Sequence, residues 1–203
     1  MIVKLLNSTD LKVALEAGLV CTDNCANIDK YDARNFLSKL IKAGHESVIE
    51  HISYSFKIEN VSRAVLQELA RHRHISLSVK STRWALKKFA NDIPYYYPNY
   101  PSGEENIPFE NVKSFLKLKE LSKELSDTIA KCSVEGIPND ILKYFIQESM
   151  CTDLVLSLNA RELRHICHVR KSERALKEFQ QLCDAIYEQL PEEHKFIYSE
   201  YFI

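Results

Sequence analysis

Glycine is scarce, with 4 in 203 residues, and no arrangement of them supplies a G-x-G-x-x-G turn or a Walker loop, so a Rossmann or P-loop nucleotide site is excluded. No apolar run approaches the roughly 20 residues of a membrane span. The leading "MIVKLLNSTD" is too short and too polar for a secretory signal, so we expect a cytoplasmic protein with no membrane partner. Net charge is missing too: 27 Lys and Arg face 28 Asp and Glu. This excludes the whole-molecule basic field of a general nucleic-acid coat, and any anion site must be local. The 6 cysteines are scattered, with one CxxxC pair and no second pair to complete a zinc site. They read as free structural thiols. In "GHESVIEH" the position a zinc-binding HExxH would need for its second histidine is Ile49, so no metal is expected.

Hydrophobic residues make up 45% of the chain and aromatics 10%, enough for a substantial core and a single domain over 1–203. "MIVKLL" reads as an edge strand, and Ser8 to Ala17 as a helix with Ser8, Thr9 or Asp10 as cap. Asp29 to Lys42 reads as an amphipathic helix stopped by Gly44. "HISYSFKIE" alternates with period two, the pattern of a half-buried strand. Val61 to Arg71 reads as helix and "ISLSV" as extended. Pro94, Pro98 and Pro101, with the tyrosines between them, mark a surface loop. Further helices are expected near Val112 to Cys132, Asp140 to Glu148, Ala160 to His168 and Lys171 to Leu190. The fold class expected is α+β, a small, mainly antiparallel sheet covered by helices.

One more absence turns toward function. From Leu69 to Asn91 there is no Asp or Glu, whereas Arg71, Arg73, Lys80, Arg83, Lys87 and Lys88 all fall inside. Guanidinium forks with the hydroxyls of Ser76, Ser78 and Ser81 suit a phosphate-bearing ligand. On composition alone a solvated basic face is an equal reading. A nucleic-acid module stacking bases on Tyr95, Tyr96, Tyr97 and Tyr100 is a third, which the near-neutral charge argues against.

Order within the stretch is more specific. Arg71-His72-Arg73, seven residues, then Ser81, with Arg83 and Trp84 following, resembles the RHR-x7-S signature of the flavin-dependent thymidylate synthases. "GHESVIEH" (Gly44 to His51) upstream and "NARELRHICHVR" (Asn159 to Arg170) downstream resemble that family's two other segments, in the right order.

The resemblance implies reductive methylation of dUMP to dTMP. In that reaction 5,10-methylenetetrahydrofolate is the carbon donor, FAD the hydride carrier and NADPH the reductant, with no cysteine nucleophile; none of the cysteines here follows a proline. It also implies a homotetramer with shared active sites. By match to the motifs, Ser47, Arg71, His72, Arg73, Val79, Asn159, Ala160, Arg161 and His165 would meet FAD. Glu68, Leu69, Ala70, Arg71, Val79, Lys80, Ser81, Thr82, Arg83 and Lys143 would meet dUMP. Arg170 would sit against the uracil, its fixed charge favouring loss of the N3 proton.

On local grounds Asn159 and Glu162 have capping-box spacing, and Arg161 and His165 share a helix face that suits either a ligand or solvent. Several positions depart from the commonest family pattern. Glu68 stands where glutamine is frequent, Val79 where glutamate or glutamine is, Lys143 where a second phosphate-side arginine is, and Gln147 where proline is common; His74 is also unusual. An ionised Glu68 near a nucleotide phosphate would be repulsive unless a cation neutralises it. These departures motivate an alternative, a flavin- and nucleotide-binding NADPH oxidase that has lost methylene transfer.

Overall fold

The computed structural model describes residues 1–21, 25–83, 86, 94–98 and 109–202; Trp84, Lys87, Lys88 and Tyr100 lie outside these. Four strands, β1 (Ile2–Ser8), β2 (Ser53–Ser62), β3 (Ile75–Val79) and β4 (Cys151–Asn159), form one antiparallel sheet in the order β1-β2-β4-β3. With the helices around it, this is the α+β class the pattern predicts. Two compact units divide the chain: residues 1–59, 68–78 and 154–203 in one, residues 60–67 and 79–153 in the other.

In the first unit the period-two pattern of β2 holds. Tyr54, Phe56 and Ile58 are fully buried, while Ser53 and Lys57 face solvent. Strand β1 pairs with it through Val3 to Ile58 and Leu5 to Phe56, and the register slips between Leu5 and Asn7. The slip leaves Leu6 half exposed. Helix α1 (Leu11–Val20) starts later than expected because Asp10 is the cap, its Oδ1 accepting from Lys12 N at 2.8 Å. Helix α2 (Ala33–Lys42) likewise starts at Asp32, which accepts from Asn35 N at 2.6 Å; Asp29 belongs to the 3-10 turn Cys25–Lys30. Gly44 ends α2 with φ +81, the left-handed conformation that favours glycine at this point.

Two further α-helices among the described residues belong to this unit. They are α6 (Ala160–Arg170) and α7 (Lys177–Gln189), the latter starting six residues after Lys171. Cys167 and Cys183 are buried in the packing of this region.

The second unit corrects three expectations. The segment 61–71 is not one helix: Val61 and Ser62 finish β2, and α3 spans Arg63–Leu69. The cause is local, since the Ser62 hydroxyl accepts from Val65 N at 3.2 Å and so starts the helix after itself. The segment 140–148 is also broken, into α5 (Asn139–Leu142) and the 3-10 turn Lys143–Phe145, because Ile146 is extended. The tyrosine-rich segment is more than a loop, since Tyr95 bridges to Met150. Helix α4 (Phe109–Val134) supplies Ile129 to a small core with Leu86 and Leu142.

Candidate active site

Helix α6 is built from its cap upward. Asn159 Oδ1 accepts from Glu162 N at 2.8 Å, and Ala160 N donates to Ile52 O at 2.8 Å, which pins the first turn to the end of the strand-forming segment. In a full capping box the Glu162 carboxylate would turn back to the cap. Here it meets His72 Nδ1 instead, at 3.2 Å. Arg161, His165 and His168 then recur at helical spacing on one face, and this face lines a cleft of about 740 Å³ together with Arg71, His72 and Arg73. That volume is within the range of ligand pockets. Thus the structure brings six of the residues predicted to meet flavin onto one surface: Arg71, His72, Arg73, Asn159, Arg161 and His165.

The same cleft contains residues the sequence reading did not assign. Glu50 binds Arg161 Nη1 at 2.5 Å. Glu46 and Glu200 hold the buried Arg164 at 3.2 and 2.7 Å, and its guanidinium lies 5.4 Å from the Tyr201 ring centre. The carboxylates of the Gly44 to His51 segment therefore fix arginines of α6 rather than standing free. Glu46 and Glu50 lie within the segment Gly44 to His51, and Arg164 is one turn from His168; nothing local marks any of the three as part of the wall.

His72 is buried, 8% exposed, with both ring nitrogens engaged. Arg170 Nε–H donates to His72 Nε2 at 3.2 Å. An arginine has no acceptor, so Nε2 must be unprotonated, and the proton is on Nδ1, facing Glu162. Burial and then the Arg170 charge hold the His72 pKa below its ordinary value of 6.5, against the pull of Glu162. His72 is therefore neutral in the fold.

Arg170 itself is only 16% exposed. It ion-pairs through Nη1 with the Glu68 carboxylate, and its Nη2–H donates to the Glu68 backbone carbonyl at 3.3 Å. Its guanidinium centre lies 5.0 Å from the Phe179 ring centre. The cation needed to neutralise Glu68 is thus Arg170, 102 residues away, while Arg71 stands farther off at 3.9 Å. Glu68, His72, Glu162 and Arg170 form one chain of alternating charge and dipole.

The residues predicted to hold phosphate lie in the second unit. Lys80 meets Asp153 at 2.9 Å through its ammonium and again through its backbone N–H. Arg83 meets Asp140 at 3.2 Å on the surface. Thr82 accepts from Arg63 Nη1 at 2.9 Å, and both line a small cleft of about 90 Å³ with Lys143, Gln67, Gln147 and Glu148. Ser81 is exposed.

Five predicted residues are less engaged. Ser47 is exposed in the 3-10 turn Glu46–His51 and does not line the large cleft. Val79 ends β3 outside both clefts. Ala160 and Leu69 are fully buried, so they offer only backbone groups, and Leu69 O already accepts from His72 N at 2.9 Å. Ala70 is exposed. Among the described residues no group of three or more His, Cys, Asp or Glu is placed to hold a metal ion.

A family model described as "Thymidylate synthase complementing protein" matches residues 4–194. The chain belongs to the flavin-dependent thymidylate synthase family. Proteins named flavin-dependent thymidylate synthase from Campylobacter jejuni (strain RM1221) and Helicobacter pylori (strain J99) are 37% and 39% identical to it. The alignments span 78% and 77% of this chain and 75% and 76% of theirs. A Helicobacter pylori crystal structure of thymidylate synthase X, with FAD and dUMP, superimposes with a TM-score of 0.81 at 30% identity, covering 99% of this chain and 98% of that one. The matched residues include the three stretches that carry Glu46 to Glu50, Arg71 to Arg73 and Asn159 to Arg170. No helix among the described residues is long and apolar enough to cross a membrane.

Proposed function

We propose that this chain methylates dUMP reductively to dTMP, with 5,10-methylenetetrahydrofolate as carbon donor, FAD as hydride carrier and NADPH as reductant. The observation that carries the reading is the convergence of Arg71, His72 and Arg73 with Arg161 and His165 on one cleft, in a family whose relatives are named for this activity.

The donor set fits a flavin dinucleotide. Arg73 and His165 have no ion-pair partner among the described residues, so they remain available to an anionic pyrophosphate. The Asn159 amide nitrogen remains as a donor, since only its oxygen is taken by the cap. FAD, when bound, supplies the hydride chemistry that this chain's side chains cannot.

The remaining work is positioning and charge stabilisation. Arg170 presents its remaining N–H groups toward uracil, where a fixed guanidinium favours the N3 anion and raises electron density at C5. Glu68 and His72 hold that guanidinium in place, so Glu68 acts as its counterion rather than as an unpaired anion repelling the nucleotide. This pairing favours turnover over the alternative of a flavin oxidase without methylene transfer. Ser81, Thr82, Arg83 and Lys80, with Lys143, serve the phosphate. A cysteine adduct has no support: Cys167 is packed, and its hydrogen bond together with burial holds the Cys183 thiol well above its ordinary pKa.

The family resemblance extends this reading to a homotetramer with shared active sites, in the cytoplasm. The flavin assignment is tested by the absorbance spectrum of the purified protein after FAD addition and gel filtration. Retained flavin that is lost in the Arg161→Ala, His165→Ala double variant is expected. A wild-type chain that retains no flavin contradicts it.

A further inference from the structure

Glu162 follows the cap Asn159 at the spacing where a capping-box carboxylate turns back to the cap backbone. It turns inward instead. Its side chain is 9% exposed, and its hydrogen-bond partner is His72 Nδ1 at 3.2 Å, 90 residues away in the chain. A carboxylate buried against a neutral imidazole gains a hydrogen bond but no opposite charge, which offsets little of its desolvation cost. As a device for stability the arrangement is weak, and its consequence lies in what it imposes on the ring.

The ring is the link to Arg170. A neutral imidazole donates through one nitrogen and accepts through the other. Glu162 is an acceptor and takes the donor side, which leaves Nε2 to accept from Arg170 Nε–H at 3.2 Å. Glu68 of α3 holds the two terminal nitrogens of the same guanidinium, Nη1 by its carboxylate and Nη2 by its carbonyl. Among the described residues only His72 holds Nε, so it fixes the guanidinium plane from a second direction. In the other tautomer Nε2–H would face Nε–H, two donors with no acceptor between them, and Arg170 would turn away from the position in which it meets uracil.

We propose that Glu162 is a positioning residue for the reaction: its carboxylate fixes the His72 tautomer, the ring accepts from Arg170 Nε–H, and the guanidinium is thereby held at the angle that stabilises the uracil anion. The proposal rests on the reading of Arg170 above and adds the residue beneath it. The charged and titratable groups around the ring are Glu162, His165 and Arg170 of α6, with the His165 ring centre 5.7 Å away, and Glu68 behind Arg170. Arg71 and Arg73 flank the ring in the chain and line the cleft with it. Helix α7 faces it with the uncharged Phe179 ring at 6.4 Å, next in the chain to the buried Glu178. A second proton on the ring lands on Nε2 and removes the acceptor of Arg170, so turnover falls as His72 is protonated. The Glu162 charge favours that proton; without the charge, protonation requires lower pH.

The test uses the full chain with FAD and the variants Glu162→Ala and Glu162→Gln, with kcat for dTMP formation followed against pH. Nitrogen-15 NMR of the histidine rings in the unliganded, unmodified chain gives the tautomer independently of activity. At pH 7.5 the kcat of Glu162→Ala is expected to fall about tenfold or more, and Glu162→Gln, whose amide oxygen still accepts from Nδ1–H, should recover most of the loss. The acid limb of the kcat profile should move to lower pH in Glu162→Gln, a displacement that a weakened fold alone does not produce. The spectrum should show the His72 proton on Nδ1. Equal losses in the two variants, an acid limb that is unmoved or moves to higher pH, or a proton on Nε2 each overturn the proposal. If the unmodified chain forms no dTMP, the enzyme reading fails and this inference falls with it; an active chain whose variants behave alike strikes the inference alone.

Discussion

The two groups of arginines in this molecule are held by different physics. Arg164 and Arg170 of α6 are 10% and 16% exposed, each bound by several acceptors. Arg83 is 65% exposed and faces one carboxylate that is itself 69% exposed. A buried guanidinium with fixed partners is oriented before any ligand arrives, and removing it leaves its partners desolvated and unmatched. An exposed pair is screened and contributes little. The first kind suits charge stabilisation in a reaction, the second suits an adjustable surface.

Breaking the buried group should therefore have the largest effect. Arg170→Ala is expected to lower kcat for dTMP by at least about 100-fold, while FAD stays bound; normal turnover by the variant would remove its assigned role. Next comes the support beneath it. Glu162→Ala leaves the His72 Nδ1–H buried without its acceptor and should destabilise the fold by about 1–3 kcal/mol. Glu162→Gln, whose amide oxygen can still accept, should retain most of that stability. Denaturant midpoints measure both, and equal losses would argue against the assigned tautomer.

Acid should reveal the same arrangement. The pKa of His72 is held below 6.5 by burial and Arg170, and that of His194 is lowered by burial. Below about pH 6.5 the unfolded chain takes up protons on these rings that the folded chain refuses. The unfolded state then binds more protons, so stability is full above this pH and falls as pH decreases. Thermal unfolding at pH 7.5 and 5.5 checks the sign, and a His194→Gln variant, which keeps a polar group near Tyr54 without a titrating ring, should be less acid-sensitive. The smallest effect belongs to the exposed pair: Asp140→Asn should change stability by no more than about 0.5 kcal/mol.

Much of this was legible in the chain because it is local. The alternation of β2, the cap at Asn159 and the helical spacing of Arg161 and His165 are properties of neighbouring residues, and each appears as expected. The break at Ser62 was hidden because the apolar positions Val61, Val65 and Leu69 fit one helix face, and a serine hydroxyl at the boundary decides where the helix begins. The partner of Glu68 could not be read at all. The charge at position 68 was visible as an anomaly, but the arginine that answers it is contributed by another helix, and only the fold closes the loop between them. Arg63 shows the same limit: it lies in a segment that reads as ordinary amphipathic helix, and its relation to Thr82 and Lys143 exists only in three dimensions.

The central claim is most directly tested by dTMP formation from dUMP, 5,10-methylenetetrahydrofolate, NADPH and FAD, omitting each component in turn. The account predicts dTMP that requires both FAD and NADPH and is accompanied by tetrahydrofolate. Flavin reduction without dTMP, or dTMP formed equally well without flavin, would contradict it.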